Sequence, residues 1–131
     1  MASIEGEIQK GAGEANLTLK LQLPELMKFF PELKDCFPAT INVRLKEPLK
    51  SLSPDFTIEP IKWLPETRAE EFSFTRVKFE FVSEGKSDST DAWIYEAEFS
   101  PHKTDPFYTE IVAPYLGLDS STACRIHLDR G

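Results

Sequence analysis

Cysteine is scarce. Cys36 and Cys124 are the 2 in a chain of 131 residues, far apart and outside any Cys-x-x-Cys spacing; this excludes a disulfide framework and a thiolate zinc site, and both are read as reduced thiols. Glycine is also limited, at 6 residues, and no long polar tract interrupts a chain that is 40% hydrophobic, which excludes the disordered and collagen-like classes. No apolar run approaches the ~18 residues of a membrane span, and the start from Met1 to Gly6 lacks the charged and apolar segments of a secretory signal. The expectation is a cytoplasmic protein with no membrane partner. Positive charge is the smaller share, 15 Lys and Arg against 22 Asp and Glu for a net charge of -7. Scattered cations of that number argue against a nucleic acid as partner. A small nucleotide stays open, because a metal ion and a few backbone amides hold phosphates even within an acidic protein. Histidine is represented only by His102 and His127, each without a neighbouring Cys or second His, so neither is read as a metal ligand or catalytic base.

What is present is a succession of short two-faced segments, and the length suits one domain over residues 1–131. Leu17, Leu19, Leu21 and Leu23 alternate with Asn16, Thr18, Lys20 and Gln22, which predicts a strand with one buried face. Pro24 then suits the first turn of a short helix of about two turns, with Leu26, Phe29 and Phe30 on one face and Pro31 as its stop. A second strand is predicted where Ile41, Val43 and Leu45 alternate with Thr40, Asn42 and Arg44. Between Lys46 and Pro65 four prolines predict irregular chain around edge strands near Phe56 to Ile58 and Ile61 to Leu64. Phe72 and Phe74 share one phase and Val77, Phe79 and Phe81 the other, which predicts a bulge or bend near Thr75 and Arg76. The polar stretch Ser83 to Asp91 reads as a long hairpin connection into the strand of Trp93, Tyr95, Ala97 and Phe99. Thr109 to Ala113 and Ala123 to Leu128 close the set. Many short strands with irregular joints predict a mainly β protein, a small closed or nearly closed β-barrel with one short helix. Nothing in the pattern speaks to oligomeric state.

Three constellations can carry chemistry. Gly11-Ala12-Gly13, followed by Glu14, comes directly after the Ile4 to Gln9 strand, where a strand-to-strand turn would let backbone amides face a ligand's phosphates; an ordinary tight turn is the plainer reading. With no long helix expected to follow, it is neither a Walker loop nor a Rossmann fingerprint. Thr40 and Asn42, two apart on a strand, share one face with Cα atoms roughly 7 Å apart and offer neutral oxygens of the kind magnesium accepts; two polar residues on a wet face are the plainer reading. Glu110, at the edge of the apolar run Ile111 to Pro114, is a candidate for a raised pKa and for accepting a hydroxyl proton; a simply solvated glutamate is the plainer reading. Glu96 and Glu98 are read as a solvated pair.

Taken in order, Ile4 to Glu14 with its Gly-x-Gly, Pro38-Ala39-Thr40-Ile41-Asn42-Val43-Arg44-Leu45, and Glu110-Ile111-Val112-Ala113-Pro114 resemble the archaeal CTP-dependent riboflavin kinases. The resemblance implies a six-stranded cradle-loop barrel that passes a phosphoryl group from CTP to riboflavin with magnesium. On that likeness Gly11, Ala12, Gly13 and Glu14 lie along the nucleotide, Thr40 and Asn42 bind the magnesium ion, and Glu110 approaches the ribityl hydroxyl. Ala15 and Ala39 stand where the family carries glycine, and Tyr115 to Asp119 lacks its Leu-Arg pair. The alternative is therefore a non-catalytic barrel that binds a small ligand or another protein.

Overall fold

The computed structural model describes residues 3–9, 13–49, 53–66, 68–100, 104–118 and 122–128, with the side chains of 13–18 and 83 outside that description. The chain is mainly β. Its strands are β1 (Ser3–Gln9), β2 (Ile41–Leu45), β3 (Phe56–Ile61), β4 (Glu70–Ser83), β5 (Lys86–Ala97), β6 (Tyr108–Val112) and β7 (Ala123–His127), with a helix α1 (Gly13–Phe29) and a 3₁₀ turn (Pro31–Asp35) between β1 and β2. All pairings are antiparallel, in the order β3-β4-β5-β6-β2-β1-β7. β7 also pairs with β4, through Phe79↔Ile126 and its neighbours, so six strands form a ring and β3 is appended to its outside.

The sheet is buried on its inner face around the ring and on one part of its outer face, by different partners. Inward, Ile4 and Ile8, Val43 and Leu45, Val77, Phe79 and Phe81, Ala92 and Ile94, Ile111, Cys124 and Ile126 make one core to which all six strands of the ring contribute. Outward, Phe72, Phe74, Trp93, Tyr95, Ala97 and Val112 pack beneath Leu19, Leu23, Leu26, Phe30 and Leu33. This second core explains the phase change in β4. The strand pairs with β5 without a register shift from Phe72↔Ala97 to Ser83↔Lys86, so the bulge expected near Thr75 and Arg76 is absent there. Phe72 and Phe74 face α1, whereas Val77, Phe79 and Phe81 face into the ring; the pleat continues and the covered side changes.

The predicted strand at Leu17 to Leu23 and the two-turn helix after it are both corrected to one helix of 17 residues, α1. Leu19, Leu23, Leu26, Phe30 and Leu33 are spaced at helical intervals and are all buried, while Leu21 is 42% exposed. The alternation of leucines fits either period over a few residues, and leucine favours a helix. Pro24 sits inside α1 on its exposed side, so the Lys20 carbonyl that loses its donor faces water. The long connection expected from Ser83 to Asp91 is a two-residue turn, with Glu84 and Gly85 both at positive φ. Lys86 to Asp91 are strand residues of an extended hairpin. No separate strand runs from Ile61 to Leu64: Ile61 is the last residue of β3, reached across a register shift after Ile58, at the point where Pro60 cannot donate to the ladder.

Candidate functional site

β2, β6 and β5 lie side by side, and their registers place Asn42 opposite Glu110 and Glu110 opposite Tyr95. The three therefore form a row across the outward face, with Thr40 one pleat along from Asn42. The Thr40 hydroxyl Oγ1 is 3.2 Å from Asn42 Oδ1 and 3.3 Å from Glu110 Oε1. It has one proton to donate to two acceptors, so three hard oxygens, from the residue before β2, from β2 and from β6, converge on a small volume. The Ser100 hydroxyl donates to the other carboxylate oxygen, Glu110 Oε2, at 3.4 Å. Residues 70 positions apart in the chain thus meet through strand register.

α1 covers the next position in the row. The Tyr95 hydroxyl donates to Gln22 Oε1, and Gln22, at 2% exposure, is buried with the apolar side chains of the helix. Burial, with the nearby charges of Glu110 and Glu70, holds the Tyr95 phenol well above its ordinary range, so it remains a proton donor at neutral pH. Tyr108, two residues before Glu110 on the same strand face, is also pushed up, first by burial and then by Glu110, against the opposing pull of Arg44. Arg44 stacks over its ring at 5.3 Å and bridges Asp105 at 2.9 Å. The site consequently offers a hydroxyl, an amide, an oriented carboxylate and two neutral phenols on one face.

The glycine segment is placed differently from expectation. Gly13 is the first residue of α1, not the end of a strand-to-strand turn, because the leucine-rich segment after it is helical. Gly11 and Ala12 lie outside the described residues, as does the side chain of Glu14 within α1. Gly13 stands about 13 Å along the helix axis from Gln22. Glu96 and Glu98 are exposed, as read from the sequence. His127 bonds Glu80 at 2.8 Å, and His102 lies outside the described residues. Gln22, Tyr95, Ser100 and Tyr108 were not singled out from the sequence. Tyr95 and Tyr108 carry a phase signal on their strands, but which strands are neighbours, and hence which phenol meets Glu110, is a matter of register. Ser100 has no local signal.

Among the described residues no group of three or more His, Cys, Asp or Glu stands together as a metal site. A magnesium ion asks for less from the protein, since it keeps waters and substrate oxygens in its shell. Octahedral ligands at 2.0–2.1 Å stand about 3 Å from one another, close to the Thr40 to Asn42 separation of 3.2 Å. The Thr40 and Asn42 oxygens fit two neighbouring positions of such a shell. No family model matches the chain, and no curated protein matches it in sequence.

Proposed function

We propose that the chain is a cradle-loop-type β-barrel that binds a nucleotide and a flavin-like acceptor, and that it transfers a phosphoryl group from CTP to riboflavin with magnesium. The reading rests on one observation, the convergence of Thr40, Asn42 and Glu110 on one face within hydrogen-bonding distance. Thr40 and Asn42 would hold the metal, which supplies charge neutralisation at the phosphates when bound. Glu110, with its two oxygens held by Thr40 and Ser100, would orient the ribityl hydroxyl and take its proton. The hydroxyl oxygen then forms its bond to the terminal phosphorus of CTP as the bridging P–O bond breaks and CDP departs. Little else is asked of a protein in this chemistry, which depends on positioning and charge.

A second reading, a small-ligand binder without turnover, is favoured by the burial of Asn42 at 4% exposure and by the methyl group that Ala39 adds beside Thr40. The two are separated by incubating the protein with riboflavin, magnesium and either CTP or ATP and following FMN. The kinase reading expects FMN with CTP, a loss of about 10²–10⁴-fold on Glu110→Gln, and loss of the magnesium dependence on combined Thr40→Ala and Asn42→Ala. A melting-temperature rise with CTP or riboflavin and no FMN supports the binder. No response to any ligand overturns both.

A further inference from the structure

Glu70, the first residue of β4, is a carboxylate buried to 5% exposure. Removing such a group from water is costly unless donors replace the lost solvation. Two do so here: the Trp63 indole Nε1–H donates to Oε1 at 3.0 Å, and the Phe99 backbone amide donates to Oε2 at 2.8 Å. Glutamate offers an acceptor to each, whereas glutamine would turn its NH₂ towards one of the two donors. Phe99 belongs to the turn that follows β5, and that turn closes without Glu70. The Ser100 amide donates to the Ala97 carbonyl at 3.0 Å, the Glu98 amide to the Glu71 carbonyl at 3.0 Å, and the Glu71 amide to Glu98 Oε1 at 3.0 Å. What Glu70 adds is a fixed point at Phe99, with the Arg68 guanidinium over the Phe99 ring at 4.2 Å as a second. The next residue along is Ser100, whose hydroxyl reaches Glu110 Oε2 at 3.4 Å.

We infer that Glu70 is a positioning residue: by holding the Phe99 amide it sets the Ser100 hydroxyl against Glu110 and so fixes the direction in which the Glu110 carboxylate points. The inference rests on the reading of Glu110 as the group that orients the acceptor hydroxyl. The Ser100 contact is at the long end for an O–H···O bond, so a small displacement of the turn removes it. An anchor one residue away is what prevents that displacement. Glu70 and Glu110 both act on the Tyr95 phenol, so the anchor stands beside the site it serves. Its effect on Glu110 is carried by the backbone from Phe99 to Ser100.

The test follows the Glu110 carboxyl carbon by NMR at one fixed pH, with Glu110→Gln to assign its signal. Ser100→Ala is expected to displace that signal in the otherwise unaltered chain. In a Glu70→Met background, which keeps the length and removes both acceptors, the displacement caused by Ser100→Ala is expected to fall to less than about half; Glu70→Leu is the second variant should methionine loosen the fold. Glu70→Gln combined with Trp63→Phe, which leaves the amide oxygen free for Phe99, is expected to restore it. In FMN formation Glu70→Met and Ser100→Ala are each expected to lower kcat by about three- to tenfold at unchanged KM, and together by no more than either alone. A role in stability alone would lower the melting temperature and leave the Ser100→Ala displacement whole. An undiminished displacement in the Glu70 backgrounds therefore overturns the inference, as does a Ser100→Ala change that leaves the Glu110 signal in place. The carbon signal needs no turnover: coupling without FMN upholds the anchor and removes the phosphoryl-transfer reading, and FMN without coupling does the reverse.

Discussion

A hydrogen atom is all that Gly6 has room for. The residue faces into the ring between Leu45 and Cys124, and a Cβ there would meet Val43 Cγ1 at 2.7 Å and the Arg44 carbonyl oxygen at 2.9 Å. Neither neighbour yields easily: one is a stiff β-branched side chain at full burial, the other is backbone. Gly6→Ala is therefore expected to lower stability by about 1–3 kcal/mol, read as a fall in the urea midpoint at unchanged slope. The sequence placed this glycine within a strand but carried no sign that its neighbour across the sheet requires it. Thr40, Asn42 and Glu110 differ in that respect. Their residue types were legible as oxygen donors, while their meeting depends on the pairing Asn42↔Glu110. Ser100 and Gln22 join the site by contacts that no local pattern announces.

Among the elements, the β4–β5 hairpin shows how far turn chemistry reaches. Its two central residues, Glu84 at φ 51° and Gly85 at φ 77°, form the kind of turn whose twist matches two right-handed strands, and for which Asn-Gly is the preferred pair. Glutamate in the left-handed region is strained, by about 1–2 kcal/mol relative to the right-handed region. Glu84→Asn is expected to raise stability by up to about 1 kcal/mol and Gly85→Ala to lower it by about 1–2 kcal/mol. Denaturation midpoints of the two variants, displaced to opposite sides of the unaltered chain, check this. Equal midpoints would show that the turn does not govern the hairpin. The same segment shows why the hairpin was misread as a long loop: Lys86 to Thr90 are polar and mostly exposed, so hydrophobicity hides a strand that the backbone ladder sustains. α1 is the converse case, an apolar pattern visible in the sequence but compatible with two periods.

Across the whole molecule, burial of two thiols, one beside the 3₁₀ turn and one in β7, makes stability depend on pH at the alkaline end. Burial, with Asp35 adding, pushes the Cys36 thiol up to about 11, and burial, with Glu7 adding, does the same for Cys124. Both are free thiols. A group whose pKa is raised on folding stabilises the fold fully below its unfolded value, here the ordinary 9.0, and that stabilisation is lost as pH rises towards 11. The unaltered chain is thus expected to lose stability between pH 9 and pH 11 relative to a Cys36→Ala, Cys124→Ala variant. Urea denaturation of both proteins across that window measures the difference, and parallel curves would contradict the assignment. Below pH 9 the gap between them is expected to be constant.

The sequence by itself determined that the chain is mainly β, the positions of β1, β2, β6 and β7 within a residue or two, the opposite phases of Phe72 and Phe74 against Val77, Phe79 and Phe81 in β4, and the oxygen-bearing character of Thr40, Asn42 and Glu110. These follow from period-two alternation and side-chain chemistry, which are properties of neighbours in the chain. The tertiary structure alone decided that Leu17 to Leu23 is helical, because only the presence of an apolar outer sheet face to cover selects the helical period over the strand period. It also decided that Tyr95 stands opposite Glu110, that Ser100 donates to Glu110 and that Arg76 lies over Trp93 beside Glu32. Register and the packing of α1 on the sheet bring those groups together, and neither is a property of any segment on its own.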